Sequence, residues 1–395
     1  MSAGPTPVPR GRLGWSRLGL LWLMGADLRL TILAVPPVLT LIHRDLHLSE
    51  AGVGALTGLP VFLLAAAAIL GSLLIARLGA SRAAVLGLVV IALAGAWRGF
   101  GPSVGMLFAM TLVMGVGVSI TQPAMPALVS EWYPTRVGLA TATYGNGLLV
   151  GEAISAALTL PLVLPLVGGR WEWSLAVWSV PVLLTALWLR ALSVPPAPRA
   201  AARLWWPDWR GTPILRLGCT AGGASAAYFG ANAFIPEFLR ATGRLEMIGP
   251  CLTALNTWQI PSSVMVAWFA PSLLGRRAPF VAAGALILTG LAVFLLGSGP
   301  ELVVGSALIG FFSATTLILS LATPPLLTDP HDVHRLSAGM FAVAYTWTFV
   351  LPLVSGAAWD ATHLPAVSFL TVALGSVMSA AAALGLPVRT EALGD

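Results

Sequence analysis

The chain has 395 residues, with 21 basic residues, all arginine, against 15 acidic ones, for a formal net charge of +6. Only 9% of residues are charged and 57% are hydrophobic, whereas a soluble domain carries about 25% charged residues. Soluble and disordered readings both fail on that arithmetic, and the mean hydropathy of +0.88 points to a polytopic membrane protein with the lipid bilayer as its surroundings.

The arginines stand singly or in pairs between apolar runs, which is the pattern of topology signals and not of a nucleic-acid surface. Cys219 and Cys251 fall inside apolar runs, with no disulfide framework and no metal spacing.

In chain order, residues 1–17 read as a disordered cytoplasmic tail rich in Pro, Gly and Arg. Twelve apolar segments follow, at 18–41, 51–76, 83–97, 104–128, 137–163, 173–192, 213–239, 248–274, 279–298, 301–326, 336–358 and 364–386. A bilayer-spanning helix needs roughly 20 such residues. A barrel would need shorter stretches with period-two alternation, and runs such as Val61–Leu70 are apolar on every side. The expected fold class is therefore all-α, with twelve transmembrane helices.

With the N-terminus inside, fifteen arginines fall on the cytoplasmic side and five, including Arg44 and Arg98, on the outer side. That bias places both termini in the cytoplasm. Residues 193–212, with Pro195, Pro196, Pro198, Trp205, Trp206 and Trp209, read as a cytoplasmic linker between six-helix halves at 18–192 and 213–386, and 387–395 as a cytoplasmic tail. A shift of 199 residues lays Pro37 on Pro236, Leu46 on Leu245, Pro126 on Pro325 and Arg136 on Arg335. Such a duplication is a mark of secondary transporters, with the site between the halves near the midplane.

Arg29 stands at the middle of the first segment, where an arginine costs about 2.5–3.5 kcal/mol on insertion scales. It must face a cavity or a partner: either an internal ion pair or an anionic substrate that its planar fork can bind. Glu152, midway along the fifth segment, is either the partner of Arg29 or an acid that carries a coupling proton. Asp27 points away from Arg29 on the same helix, so its options are a hydrogen bond or pair with another helix, or proton uptake. Tyr228 falls on Arg29 under the 199-residue shift, and Asn232 lies one turn further along its face.

Gln122, Tyr144, Asn256, Tyr345 and Trp347 are further substrate-contact candidates, with Asn146, Trp258 and Gln259 behind them; helix–helix hydrogen bonding is the competing role for each. Gly145, Gly147 and Gly151 invite a close helix neighbour. Pro36, Pro37, Pro123, Pro126, Pro236, Pro324 and Pro325 should bend the first, fourth, seventh and tenth segments. The chain carries no phosphate loop, HExxH or CxxC, and His43, His47, His331, His334 and His363 read as loop residues. No enzyme chemistry, cofactor or metal is expected.

The stretch Arg77-Leu78-Gly79-Ala80-Ser81-Arg82 resembles the loop signature of the major facilitator superfamily, with Ala76 where an acid is usual. Leu28-Arg29, Pro37-Val38-Leu39, Leu56-Thr57-Gly58-Leu59-Pro60-Val61, Gln122-Pro123-Ala124-Met125-Pro126 and Ile235-Pro236-Glu237-Phe238 resemble its cyanate and nitroimidazole transporter branch. Leu30 and Asp27 depart from that branch, where Pro and Asn are usual. The resemblance implies a monomeric, proton-coupled secondary transporter in a bacterial inner membrane, moving a small anionic or polar nitrogenous solute by alternating access. The competing reading is a multidrug or nitroimidazole-type efflux transporter.

Overall fold

The computed structural model describes residues 13–48, 50–100, 103–192 and 204–386. The expected tails up to residue 12 and from 387, and the linker over 193–203, lie outside them. All regular structure among the described residues is helical, and it groups into twelve spans. Nine are long and apolar enough to cross a bilayer by length and composition. Glu50–Leu78, Thr212–Ala241 and the pair Ile248–Thr257 and Gln259–Leu273 supply the second, seventh and eighth.

Several boundaries differ from expectation for local reasons. The first span starts at Leu13, not at 18; the tail's last proline is Pro9, so no helix breaker of that kind stands in its way. The stretch Arg77–Arg82, expected as a loop, is almost wholly helical. Helix continues to Leu78, and Gly79 alone makes the turn, at φ 83°, before the third span begins at Ala80. A left-handed φ suits glycine and penalises a side chain. His43 and His334 belong to helices instead of loops, and His334 is buried in the first turn of the eleventh span.

The prolines act in two ways. Pro36 and Pro37 open a new helix, Val35–Leu46, after a break at Ala34 in the first span, and Pro324 restarts the chain after Thr323 in the tenth. Pro123, Pro126 and Pro236 sit inside continuous helices. The fifth span, Val137–Leu158, widens into a π turn at Thr159–Val163.

Large apolar side chains such as Leu187, Leu353 and Val377 stand exposed, on a surface that only lipid would cover. The apolar interior divides into three clusters. One joins both halves: Leu128 and Val129 of the fourth span, Val137 of the fifth, Val266 of the eighth, and Val333 and Met340 of the eleventh. The other two belong to one half each, around Val38, Leu107 and Trp171 in the first half and around Phe238, Phe294 and Phe369 in the second. The halves are thus sealed at the end where the 204–211 segment crosses and part toward the opposite end. That segment is seated at the sealed end, with Ser72 Oγ donating to the Trp205 carbonyl at 2.6 Å and Arg335 Nε to the Trp206 carbonyl at 3.0 Å.

Candidate functional site: a cavity between the two halves

The first and fifth spans approach so closely that three glycines are required. A Cβ on Gly25 would lie 2.2 Å from the Tyr144 carbonyl oxygen, one on Gly147 2.1 Å from that of Trp22, and one on Gly151 2.4 Å from that of Ala26. This contact carries Arg29 and Glu152 on neighbouring backbones, and both side chains turn into a cavity at the meeting of the halves.

From the first half, Arg29, Gln122, Leu148, Leu149 and Glu152 line the cavity. The second half contributes Tyr228 and Phe229 of the seventh span, Gln259 of the eighth, Ser313 and Leu317 of the tenth, and Tyr345 of the eleventh. The volume open to the centres of water molecules is about 30 Å³, room for about two waters.

Arg29 is half-buried. Its guanidinium lies 5.6 Å from the centroid of the Phe229 ring, within range of a cation–π attraction. Arg29 is in none of the ion pairs Arg44–Asp45, Arg170–Glu172, Arg240–Glu237 and Arg335–Asp332. The sequence left open whether Arg29 and Glu152 pair; they do not form an ion pair in this conformation. Glu152 turns to the other half instead, with Oε1 2.8 Å from Tyr228 Oη.

Tyr228 Oη also lies 2.5 Å from Asn256 Oδ1. Asn256 Nδ2 donates to Asn232 Oδ1 at 3.0 Å and to the Leu252 carbonyl at 2.8 Å, and Asn232 Nδ2 donates to the Tyr228 carbonyl at 3.2 Å. Two further bonds cross between the halves: Gln122 Nε2 donates to Tyr345 Oη at 2.5 Å and Asn146 Nδ2 to Ser263 Oγ at 2.7 Å. Ser313 Oγ on the cavity wall is buried without a hydrogen-bond partner among the described residues.

Of the residues singled out from sequence, Arg29, Gln122, Glu152, Tyr228, Gln259 and Tyr345 come together on this wall. Asn232 and Asn256 stand behind it, bonded to Tyr228. Tyr144 and Trp347 are not among the lining residues, and Tyr144 Oη is buried without a partner among the described residues. Asp27 is fully buried away from the cavity, with Thr185 beside its carboxyl group. Arg98, expected in an outer loop, is 1% exposed and donates from Nη2 to the Thr31 carbonyl at 2.7 Å.

Sequence reasoning missed Phe229, Ser225 and Ser313. The first two are one helical turn apart and next to Tyr228, so reading that face as a unit would have found them. No sequence signal marks Ser313. The 199-residue shift that pairs Arg29 with Tyr228 also pairs Gln122 with Leu321, and all four of these residues line the cavity.

A cation, an aromatic face and several hydroxyl and amide groups around so small a space can bind a compact planar or linear solute with acceptor atoms. The geometry has no hydrolytic or redox constellation among the described residues.

A sequence profile of the Major Facilitator Superfamily matches residues 21–350. An uncharacterized transporter of Bacillus subtilis, YycB, is 25% identical over 93% of this chain and 92% of its own length. The 2-nitroimidazole transporter of Escherichia coli is 26% identical over 91% of this chain and 92% of its own. The cyanate transport protein CynX of Escherichia coli is 26% identical over 42% of each chain. Among solved structures, the proton:xylose symporter XylE matches with a TM-score of 0.76 at 13% identity, over 93% of this chain and 94% of that one.

Proposed function

The chain belongs to the major facilitator superfamily of membrane transporters, and we propose that it moves a small anionic or polar nitrogenous solute, cyanate-like or a small organic anion, by proton-coupled alternating access. It is a transporter and not an enzyme. The observation that carries the proposal is Arg29: a guanidinium midway along the first apolar segment, on the wall of a cavity between the halves, without an ion-pair partner among the described residues. Such a group is expensive to keep in a bilayer without a purpose, and its planar fork suits a small anion or an acceptor edge.

The names of two relatives, a cyanate transport protein and a 2-nitroimidazole transporter, support the same chemistry of small nitrogenous solutes. Glu152 is the coupling acid in this reading. It faces the same cavity, so proton and solute are read in one place. Both termini lie in the cytoplasm of a bacterial cell with the chain, as a monomer, in its inner membrane; the sealed end is then the inner one and the cavity serves the outside, the state that loads for uptake.

A second reading has one observation in its favour. Leu148, Leu149, Leu317 and Leu321 make much of the wall apolar, and the 2-nitroimidazole relative matches over the greater length. Efflux of flat nitro-heterocycles would use Phe229 and those leucines for the ring and Arg29 for the nitro group.

Counterflow and gradient-driven uptake in proteoliposomes separate the two, with labelled cyanate and 2-nitroimidazole as probes. Cyanate exchange, with accumulation when the outside is made acidic, is the expected result. In Glu152→Gln, exchange should persist while pH-driven accumulation disappears. Accumulation of 2-nitroimidazole against an outward proton flow, with no cyanate exchange, would select the second reading.

A further inference from the structure

The chain Glu152–Tyr228–Asn256–Asn232 allows a count of protons. A phenol has one proton to give, yet Tyr228 Oη lies 2.8 Å from a carboxyl oxygen and 2.5 Å from an amide oxygen. Each of those contacts needs a proton between its oxygens. Amide orientation decides which one the phenol supplies, and two backbone carbonyls fix it here.

Leu252 and Tyr228 present carbonyl oxygens at 2.8 Å and 3.2 Å to Asn256 Nδ2 and Asn232 Nδ2. Turning either amide over would set oxygen against oxygen at those distances. The amides are therefore as described, Asn256 Oδ1 faces Tyr228, and the phenol's proton goes to Asn256. Gln259, beside the same hydroxyl, can offer it only an amide N–H and so leaves the count unchanged. The contact between Tyr228 and Glu152 then needs its proton from the carboxyl group.

We infer that Glu152 carries a proton in this conformation and uses it as a clasp between the fifth and seventh spans, with Tyr228 and Asn256 setting the direction of the chain. Among the groups facing Glu152 across the cavity, Arg29 is charged, Tyr228 and Tyr345 are titratable, and Gln122, Gln259 and Ser313 are neutral. A neutral Glu152 leaves Arg29 as the net charge of the site. Its complement is one monovalent anion, so anion and proton together form an electroneutral cargo; this last step rests on the transport reading above, whereas the clasp does not.

Infrared spectroscopy of the purified full-length protein, without substrate, tests the clasp. In an Asp27→Asn background, which removes the other buried carboxyl, a carbonyl stretch of a protonated carboxyl group should appear at neutral pH, shift in D2O, and be missing once Glu152→Gln is added. In Tyr228→Phe, which removes the acceptor of that proton, the band should remain but move to the frequency of a less strongly bonded carboxyl. The absence of a protonated-carboxyl band, or its survival unchanged in Glu152→Gln, overturns the proposal. If Glu152→Gln fails to fold, an unshifted band in Tyr228→Phe does so. Cyanate uptake driven by a pH gradient should also be indifferent to a potential set with valinomycin. A rate that follows the potential removes the one-to-one pairing, and failure of cyanate to be transported at all removes the transport reading while leaving the infrared result intact.

Discussion

The two walls of the cavity are chemically unlike. The first half supplies the cation Arg29 and the carboxyl group of Glu152, with Gln122 as its other polar group; the second supplies hydroxyls and amides, Tyr228, Gln259, Ser313 and Tyr345. A cation can hold an anion from one side only, and neutral donors can follow it without a desolvation penalty of similar size. Under the proposed function, the asymmetry gives recognition of charge to one half and sensing of the occupied state to the other. Gln122–Tyr345 and Glu152–Tyr228 are where the two walls meet.

The sharpest way to break this division is Arg29→Lys. The charge remains but the fork does not, and loss of a charge-assisted hydrogen bond is worth about 1.5–3 kcal/mol. We expect cyanate exchange to fall by about 10- to 100-fold with the protein still folded and in the membrane. Wild-type exchange in Arg29→Lys takes Arg29 out of the recognition wall.

Next in size is a change that moves the charged wall without touching a charge. Gly147→Ala places a Cβ 2.1 Å from the Trp22 carbonyl oxygen, and the first and fifth spans must separate to admit it. Overpacking of this kind costs about 1–3 kcal/mol. Thermal stability should drop and transport with it, because Arg29 and Glu152 ride on those two helices. Gly14→Ala, with nothing within 4 Å of its added Cβ, is the control and should change neither.

A smaller effect is expected where the walls meet. Gln122→Leu and Tyr345→Phe each remove one side of a bond between the fourth and eleventh spans. Hydrogen bonds between membrane helices average about 0.6 kcal/mol in double-mutant cycles, and we expect a coupling of about that size here, measured as stability of the full-length protein. If the bond helps to hold this conformation, the double variant should also exchange solute faster than either single one. Additive single effects would separate the two residues energetically despite their 2.5 Å contact.

How much of this was legible beforehand depended on whether a residue broke a rule of its surroundings. Arg29 and Glu152 stood out because charge is costly in a bilayer, and Tyr228 because the repeat set it at the depth of Arg29. The twelve spans followed from apolar run length. Gly79 was hidden because an apolar count sees a loop where polar and small residues collect, whereas one left-handed glycine suffices for the turn. Arg98 does follow the third span, but its burial was hidden: an arginine just after an apolar run gives no sign that its side chain folds back to the Thr31 carbonyl. Phe229 and Ser313 break no rule, since an aromatic ring or a small hydroxyl is ordinary inside a membrane bundle. Only the packing of the halves reveals that they face the cavity.

The weakest expected effect sharpens the comparison most finely, because it asks whether every polar group near the cavity belongs to the site. Tyr144 has the composition of a site residue and lies on the fifth span with Glu152. Its hydroxyl, however, is buried with no partner among the described residues, and the residue is not part of the cavity wall. An unbonded buried hydroxyl is a liability of about 1–3 kcal/mol, and removing it leaves the ring, which fills the space, in place. Tyr144→Phe should therefore keep cyanate exchange at the wild-type level and leave stability unchanged or slightly raised. A loss of exchange without a loss of stability would show that Tyr144 reaches solute in another conformation of the cycle, and would add a neutral donor to the half that here supplies Arg29 and Glu152.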